Sequence, residues 1–299
     1  MVRPRHFGYN SQTAGTNRFQ NAGESAGVAE RALAEFEAFA AALGAEGVTV
    51  CVAQDSDRPV KPDAVFPNNW VSFHADGTVV LYPMHAENRR VERRQEIIDA
   101  VVNQTGFAVR RVVDLTGHEK AGRFLEGTGS LVLDHVARVA YACRSPRTDE
   151  EVAREWVREM GYVLEMFSAT DESGTPIYHT NVLMHVGTRI CVAALDAIAV
   201  ADRGRVEQRL RDSGRDLIAI DHAEMRAFAG NMLEVGSWDE YLGDFTILVM
   251  SETARHALAT PKYVRLYSSV DAVLAVPVDI IERHGGGGVR CMLAEIFLP

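Results

Sequence analysis

Cys291, His179, Glu126 and a set of asparagines are the residues whose types and placement could do chemistry. Cys291 closes the run Gly285-Gly-Gly-Gly-Val-Arg-Cys. Four glycines in a row give up much conformational entropy, so the run implies backbone freedom or close backbone approach. A lone thiol is ordinarily an inert core group. As a nucleophile it needs access and a lowered pKa, which a strand mouth can supply. His179 stands two residues before Asn181, on the same face if that stretch is extended. A Cys with a His suffices for nucleophilic catalysis with proton shuttling, although a single His is more often structural. Glu126, in Leu125-Glu-Gly-Thr-Gly, is either a solvated turn residue or a carboxylate that receives substrate N–H groups and orients the His. Asn68 and Asn69, in Phe66-Pro-Asn-Asn-Trp, are either turn residues or amides offered to a substrate.

These residues fall on an internal repeat. Five short apolar segments open at Asn69, Gly129, Asn181, Asn231 and Cys291, separated by 60, 52, 50 and 60 residues. A period near 50 means one supersecondary unit used several times around a shared axis. If the segments are equivalent strands, their first residues converge at one end of that axis. Most units continue into a turn and a second strand, as in Phe73-His-Ala-Asp-Gly-Thr-Val-Val-Leu-Tyr with its Asp-Gly hairpin signal. Helical periodicity then follows over 26–43, 87–104 and 148–160, ending at or near Gly44, Gly106 and Gly161. Further strand patterns cover 48–52, 109–113, 138–142, 189–193 and 245–250. The unit reads as β-β-α-β, repeated about five times, in a single domain over 1–299.

Composition narrows the function. The net charge of −10 among 299 residues argues against a nucleic-acid partner, which would need clustered Lys and Arg. The basic stretch 89–94 is interrupted by Glu92 and reads as part of a helix. The longest apolar run, 190–201, has 12 residues and includes Asp196, too short and polar to span a bilayer. The first ten residues carry Arg3, Arg5 and His6 and no apolar core, so no signal peptide is expected. Cys51, Cys143, Cys191 and Cys291 lie far apart without zinc-like spacing. A cytoplasmic, reduced protein is expected, with neither metal nor nucleotide cofactor, since there is no P-loop, HExxH or convincing GxGxxG.

Glu-Gly-Thr-Gly, His-Thr-Asn and the terminal Gly-rich run to Cys together resemble the pentein superfamily of amidino-group enzymes. That superfamily includes arginine deiminases, methylarginine hydrolases and glycine amidinotransferases. The resemblance covers the whole chain. It implies a five-bladed, pseudo-fivefold α/β propeller of ββαβ units, with a Cys, His and Glu or Asp site in the central channel. Phe-Pro-Asn-Asn-Trp, Tyr82-Pro-Met-His-Ala-Glu-Asn-Arg-Arg and Ala229-Gly-Asn-Met-Leu-Glu look closer still to the citrulline-utilisation hydrolases. In deiminases a carboxylate tends to stand where this chain has Asn69 and Asn181, and often another where it has Gly129. A carboxylate suits a cationic guanidinium, whereas an amide both donates and accepts and fits a neutral ureido group.

The resemblance therefore implies a hydrolase of a ureido or amidino C–N bond, with citrulline going to ornithine, ammonia and carbon dioxide. Cys291 would attack, His179 would carry protons, and Glu126 would bind substrate N–H groups. Asn69 or Asn181 would hold the developing charge. Arg90 (or its neighbour Arg89) and Arg144 would clamp the substrate carboxylate. The alternatives are an arginine or methylarginine deiminase, an amidinotransferase, or a non-catalytic pentein that binds a partner. The expected partner is a small amino-acid substrate, with no nucleic acid and no membrane; a homo-oligomer is compatible with the composition.

Overall fold

The computed structural model describes residues 1–23, 26–240 and 243–297. Four small sheets share one construction. Each has an antiparallel hairpin whose second strand pairs in parallel with a third, and helical structure lies between the second and third strands. The first sheet is Val71–Phe73, Thr78–Leu81 and Arg111–Asp114. The second is Leu131–Asp134, Val139–Cys143 and Val163–Phe167. The third is Met184–Val186, Ile190–Ala193 and Asp216–Ala219. The fourth is Leu233–Asp239, Gly243–Ser251 and Ala272–Val276. A two-stranded parallel pair, Val2–Arg3 with Ala53–Gln54, completes a mixed α/β fold of small sheets. Among the described residues, no helix is long and apolar enough to cross a membrane.

The helix Glu150–Met160 shows how the sequence builds these units. Asp149 caps it, its carboxylate accepting from Glu151 N and Val152 N, and Gly161 ends it at φ +68°. Such a cap contributes about 1 kcal/mol. Val152, Ala153, Trp156, Val157 and Met160 recur at helical spacing and are buried. The Trp156 indole then donates to Tyr82 Oη at 2.9 Å, tying this helix to the end of the first sheet.

Several expected elements change in detail. The strands expected to open at Asn69, Gly129 and Asn181 begin two or three residues later. The openings themselves lie on short helical turns, Pro67–Asn69, Gly127–Ser130 and Thr180–Leu183. His179 is extended while Asn181 is already helical, so strand alternation does not relate the two. The final segment is not a strand either. Cys291 sits in successive tight turns, its N–H bonded to Gly288 O at 3.0 Å, and only Ile296 forms an isolated bridge, to Phe73. The helix expected over 87–104 is two helices, Glu87–Arg90 and Gln95–Thr105. The break lets Glu92 fold onto the buried Arg89 guanidinium. No strand forms over 48–52; the nearest, Ala53–Gln54, begins just after it. The Asp76-Gly77 turn forms as read, with Gly77 at φ +80°.

The three helical turns pack side by side, which gathers the repeat openings in one place. Gly127 makes this approach feasible. A Cβ there would stand 2.1 Å from the carbonyl oxygen of Asn68. Thr180 adds a second tie, its hydroxyl donating to Ser130 O at 2.6 Å and accepting from Cys143 N at 2.8 Å.

Candidate active site

Cys291, His179, Glu126, Asn69 and Asn181 are brought together, all of them buried. The sulfur receives two amide N–H groups, from Asn181 Nδ2 and Asn231 Nδ2, each at 3.4 Å. Asn231 is itself held, donating to Asn181 O at 3.0 Å and accepting from Arg290 N at 3.2 Å. Burial pushes the Cys291 thiol above its ordinary pKa, and the two amides oppose that rise. The resting group is a thiol with donors already aimed at the thiolate it could become.

His179 Nε2 lies 2.8 Å from Glu126 Oε2. Burial would raise the Glu126 pKa, but Arg147, the His179 hydrogen bond and Arg89 hold it well below the usual carboxylate range. Burial pushes His179 down to about 4, against the pull of Glu126. Glu126 is therefore ionised and His179 neutral near pH 7. An ionised carboxylate only accepts, so the ring proton is on Nε2 and the free lone pair on Nδ1. That lone pair faces Gly129, where a Cβ would stand 2.7 Å from Nδ1 and 2.6 Å from Asn69 Nδ2. A side chain at 129 would thus occupy the space into which His179 and Asn69 look.

Both Glu126 oxygens are engaged. Oε1 accepts from His85 N at 3.0 Å, and Oε2 accepts from His179 and, at 3.4 Å, from Arg147 Nη1. The carboxylate thus holds the His179 ring, with one acceptor position on Oε1 to spare. Asp63 has more room. Its Oδ2 accepts from Asn10 and Thr13, while Oδ1 is buried without a partner.

Two guanidinium groups border the same small cavity, whose volume is only about 10 Å³: Arg89 and Arg147. Arg89 donates to Asn69 Oδ1 at 2.8 Å and to both Glu92 oxygens. Those anions, with Asp63, raise its pKa despite burial. Arg147 donates to Thr13 O at 2.8 Å and Thr16 Oγ1 at 2.7 Å, and stacks over Tyr178 at 5.0 Å. Arg90 and Arg144 are elsewhere. Arg90 binds Met84 O and neighbours Glu119, and Arg144 is an exposed partner of Glu150. Asn68 supports the site indirectly, accepting from Asn69 Nδ2 at 3.0 Å.

The cavity is covered by the N-terminal segment. Asn17 Nδ2 reaches Gly285 O and Gly286 O, and Gln20 Nε2 reaches Gly285 O at 3.0 Å. Sequence reasoning missed Asp63, Arg147, Asn17 and Gln20 as site residues. Arg147 stands three positions after Arg144, within the spacing error of the clamp. Asn231 opens a repeat and could have been named on that ground alone. Nothing local marks Asn17 or Gln20. Among the described residues, no group of three or more His, Cys, Asp or Glu is placed to hold a metal ion.

Residues 3–298 match a protein family described as N,N dimethylarginine dimethylhydrolase, eukaryotic. No curated protein matches the chain. Among solved structures, apo ArgZ, an arginine dihydrolase from the ornithine-ammonia cycle in cyanobacteria, has a TM-score of 0.74 at 17% identity, over 100% of this chain and 40% of ArgZ. The N-terminal domain of ArgZ, in a Cys-to-Ser variant bound to substrate, gives 0.74 at 17% identity, over 100% of this chain and 98% of the domain. The chain thus spans well under half of ArgZ but nearly all of that domain. A dimethylarginine dimethylaminohydrolase, as a His-to-Gly adduct with S-methyl-L-thiocitrulline, gives 0.63 at 17% identity, over 97% and 96% of the two chains. At such identity these likenesses show a shared fold.

Proposed function

Because the chain belongs to the dimethylarginine dimethylhydrolase family, within the pentein superfamily of arginine-modifying hydrolases, we propose that it is a cysteine-dependent hydrolase of the terminal C–N bonds of an arginine-like amino acid. The observation that carries this is the neutral His179 with a free Nδ1, held by ionised Glu126, in one site with a thiol that two amides are placed to stabilise as thiolate. The fold is read as a five-bladed propeller, four blades being the three-stranded sheets and the fifth formed by the two chain ends.

In the reaction, His179 Nδ1 takes the Cys291 proton and the thiolate attacks the side-chain carbon flanked by nitrogens. The C–N bond to the terminal nitrogen breaks, and that nitrogen leaves with the proton from His179, as ammonia or, where it carries two methyl groups, as dimethylamine. Water, deprotonated by His179, then adds to the same carbon and the C–S electrons return to sulfur. Arg147 takes the substrate carboxylate once Thr13 and Thr16 give way, and Asp63 Oδ1 takes the ammonium group.

The related ArgZ is an arginine dihydrolase, and the family description names dimethylarginine; both favour a guanidinium substrate. Asn69 and Asn181 favour a neutral ureido group, since an amide supplies both a donor and an acceptor. One enzyme satisfies both by carrying arginine through to ornithine, two ammonia and carbon dioxide, with a ureido group held midway. Citrulline as the starting substrate is the second reading, favoured by the same asparagines. The deciding test incubates the protein separately with arginine, N,N-dimethylarginine and citrulline, and resolves ornithine, citrulline and ammonia beside Cys291→Ala. Two ammonia per ornithine from arginine supports the first reading, and ornithine from citrulline alone the second. No turnover of any of the three overturns the proposal.

A further inference from the structure

A second cavity, of about 280 Å³, lies on the other side of Asn181 and Cys291 from the front cavity. The two share no lining residue. Asn181 borders the rear cavity while its Nδ2 touches the nucleophile, and Arg290 borders it while Cys291 borders the front. The rear cavity opens at His135, Val136, Thr188 and Gly236, all exposed, and reaches inward to Asn181 and His185. Two polar atoms on its inner wall, Asn181 Oδ1 and His185 Nε2, are buried without a hydrogen-bond partner. A buried polar group left unpaired is costly, and here two acceptors lie along one route. Burial pushes His185 down to about 3, so it is neutral and offers a lone pair. Asp134, Glu234 and Glu295 face Arg215 and Arg290 across the cavity, leaving one negative charge in excess. Asp134 is bidentate to Arg215, and Glu295 pairs with Arg290 at 2.8 Å. Glu234 meets Thr188 instead of a cation.

The reaction proposed above creates a traffic problem at the front. When ammonia leaves, the amino-acid part is still bonded to Cys291 and fills an entrance that is already tight. Ammonia must depart and water must arrive before the C–S bond can break. We propose that the rear cavity is the passage for both. Ammonia would pass the Asn181 amide to His185 Nε2, take a proton from solvent, and leave as ammonium past the carboxylates; water would travel the other way. This rests on the hydrolase reading.

The test is to plug the cavity away from the chemistry. Gly236 lies on its exposed rim and a Cβ there meets nothing within 4 Å, so Gly236→Phe places a ring across that part of the opening. Val136 at the mouth is 79% exposed, so Val136→Trp obstructs it without touching the core. Each variant is checked for folding by circular dichroism, then given whichever of arginine, N,N-dimethylarginine and citrulline the wild type turns over. Expected is a fall in kcat of about tenfold with KM within about twofold. The fraction of protein carrying substrate mass on Cys291, read by mass spectrometry after acid quench, should rise. A folded Val136→Trp and Gly236→Phe that turn over at the wild-type rate, with no extra adduct, overturn the passage while leaving the hydrolase reading intact. A wild type that forms neither adduct nor product overturns both. If Gly236→Phe does not fold, Val136→Trp decides.

Discussion

The two sides of Asn181 are built on opposite principles. In front, room is nearly absent and charge is dense: Arg89, Arg147, Asp63, Glu92 and Glu126 interlock, and one carboxylate oxygen, on Asp63, is left without a partner. Behind, a cavity many times larger spreads as many charged groups, Asp134, Glu234, Glu295, Arg215 and Arg290, over more room and carries two orphaned acceptors. A crowded, mutually paired cluster of ions is rigid and selects a substrate by displacing its own internal partners. A roomy pocket whose charges stand apart selects little and suits molecules with one heavy atom. On our proposal the difference separates recognition from traffic, and Cys291, the proposed nucleophile, sits on the boundary.

The sharpest way to break this picture is Cys291→Ser. Turnover should fall by about 10⁴-fold or more, while urea denaturation shifts by no more than about 1 kcal/mol, since the hydroxyl can take both amides. Activity near wild type would move the nucleophile elsewhere. Next in size is Glu126→Gln. The amide loses its charge beside Arg147 and no longer fixes the His179 tautomer. A loss of about 10³-fold in kcat and about 3 kcal/mol in stability is expected; a stability loss with kcat intact would leave Glu126 a purely structural partner.

The pH profile comes after these. A base works only when deprotonated, and His179 stays so down to about 4. The acid limb of kcat/KM should therefore lie near 4 and not near the ordinary 6.5, with the rate falling about tenfold per unit below it. In the resting protein, the raised thiol makes iodoacetamide labelling of Cys291 slow at neutral pH and still rising at the ordinary thiol value of 9.0. A labelling rate that levels off below pH 7 would mean an ion pair already formed. The smallest effects separate the arginines. Arg147→Lys should raise KM about tenfold, because a point charge replaces a fork. Arg144→Ala should leave KM within about twofold, and a reversal of that order would return the clamp to Arg144.

Much of this was legible in the residues themselves. The repeat openings carry topology, and four of the five units form the sheets that its period implies. Cys291, His179, Glu126 and the asparagines converge because glycine at 127 and 129 removes side chains where turns must touch. What was not legible depends on side-chain ionisation in three dimensions. Whether Arg89 or Arg90 turns inward is settled by Glu92 folding back, which breaks a helix that periodicity alone would continue. That Glu126 holds His179 while also receiving His85 and Arg147 could not be read locally, because those neighbours lie far apart in sequence. The covering segment left no signal at all, because Asn17 and Gln20 act on backbone carbonyls, whose positions no residue type advertises.

The contacts of Asn17 with Gly285 and Gly286 cross 268 and 269 positions of chain. During synthesis the earlier partner waits on the order of tens of seconds for the later one, at ordinary elongation rates. Over the later half of that interval, once residue 147 has been made, Arg147 and Glu126 can already meet, yet Cys291 does not stand beside them and no cover closes over them. The thiol proposed as nucleophile is thus made after every other residue of this site. A nascent chain holds its charged cluster ready but chemically mute, and reactivity arrives together with closure.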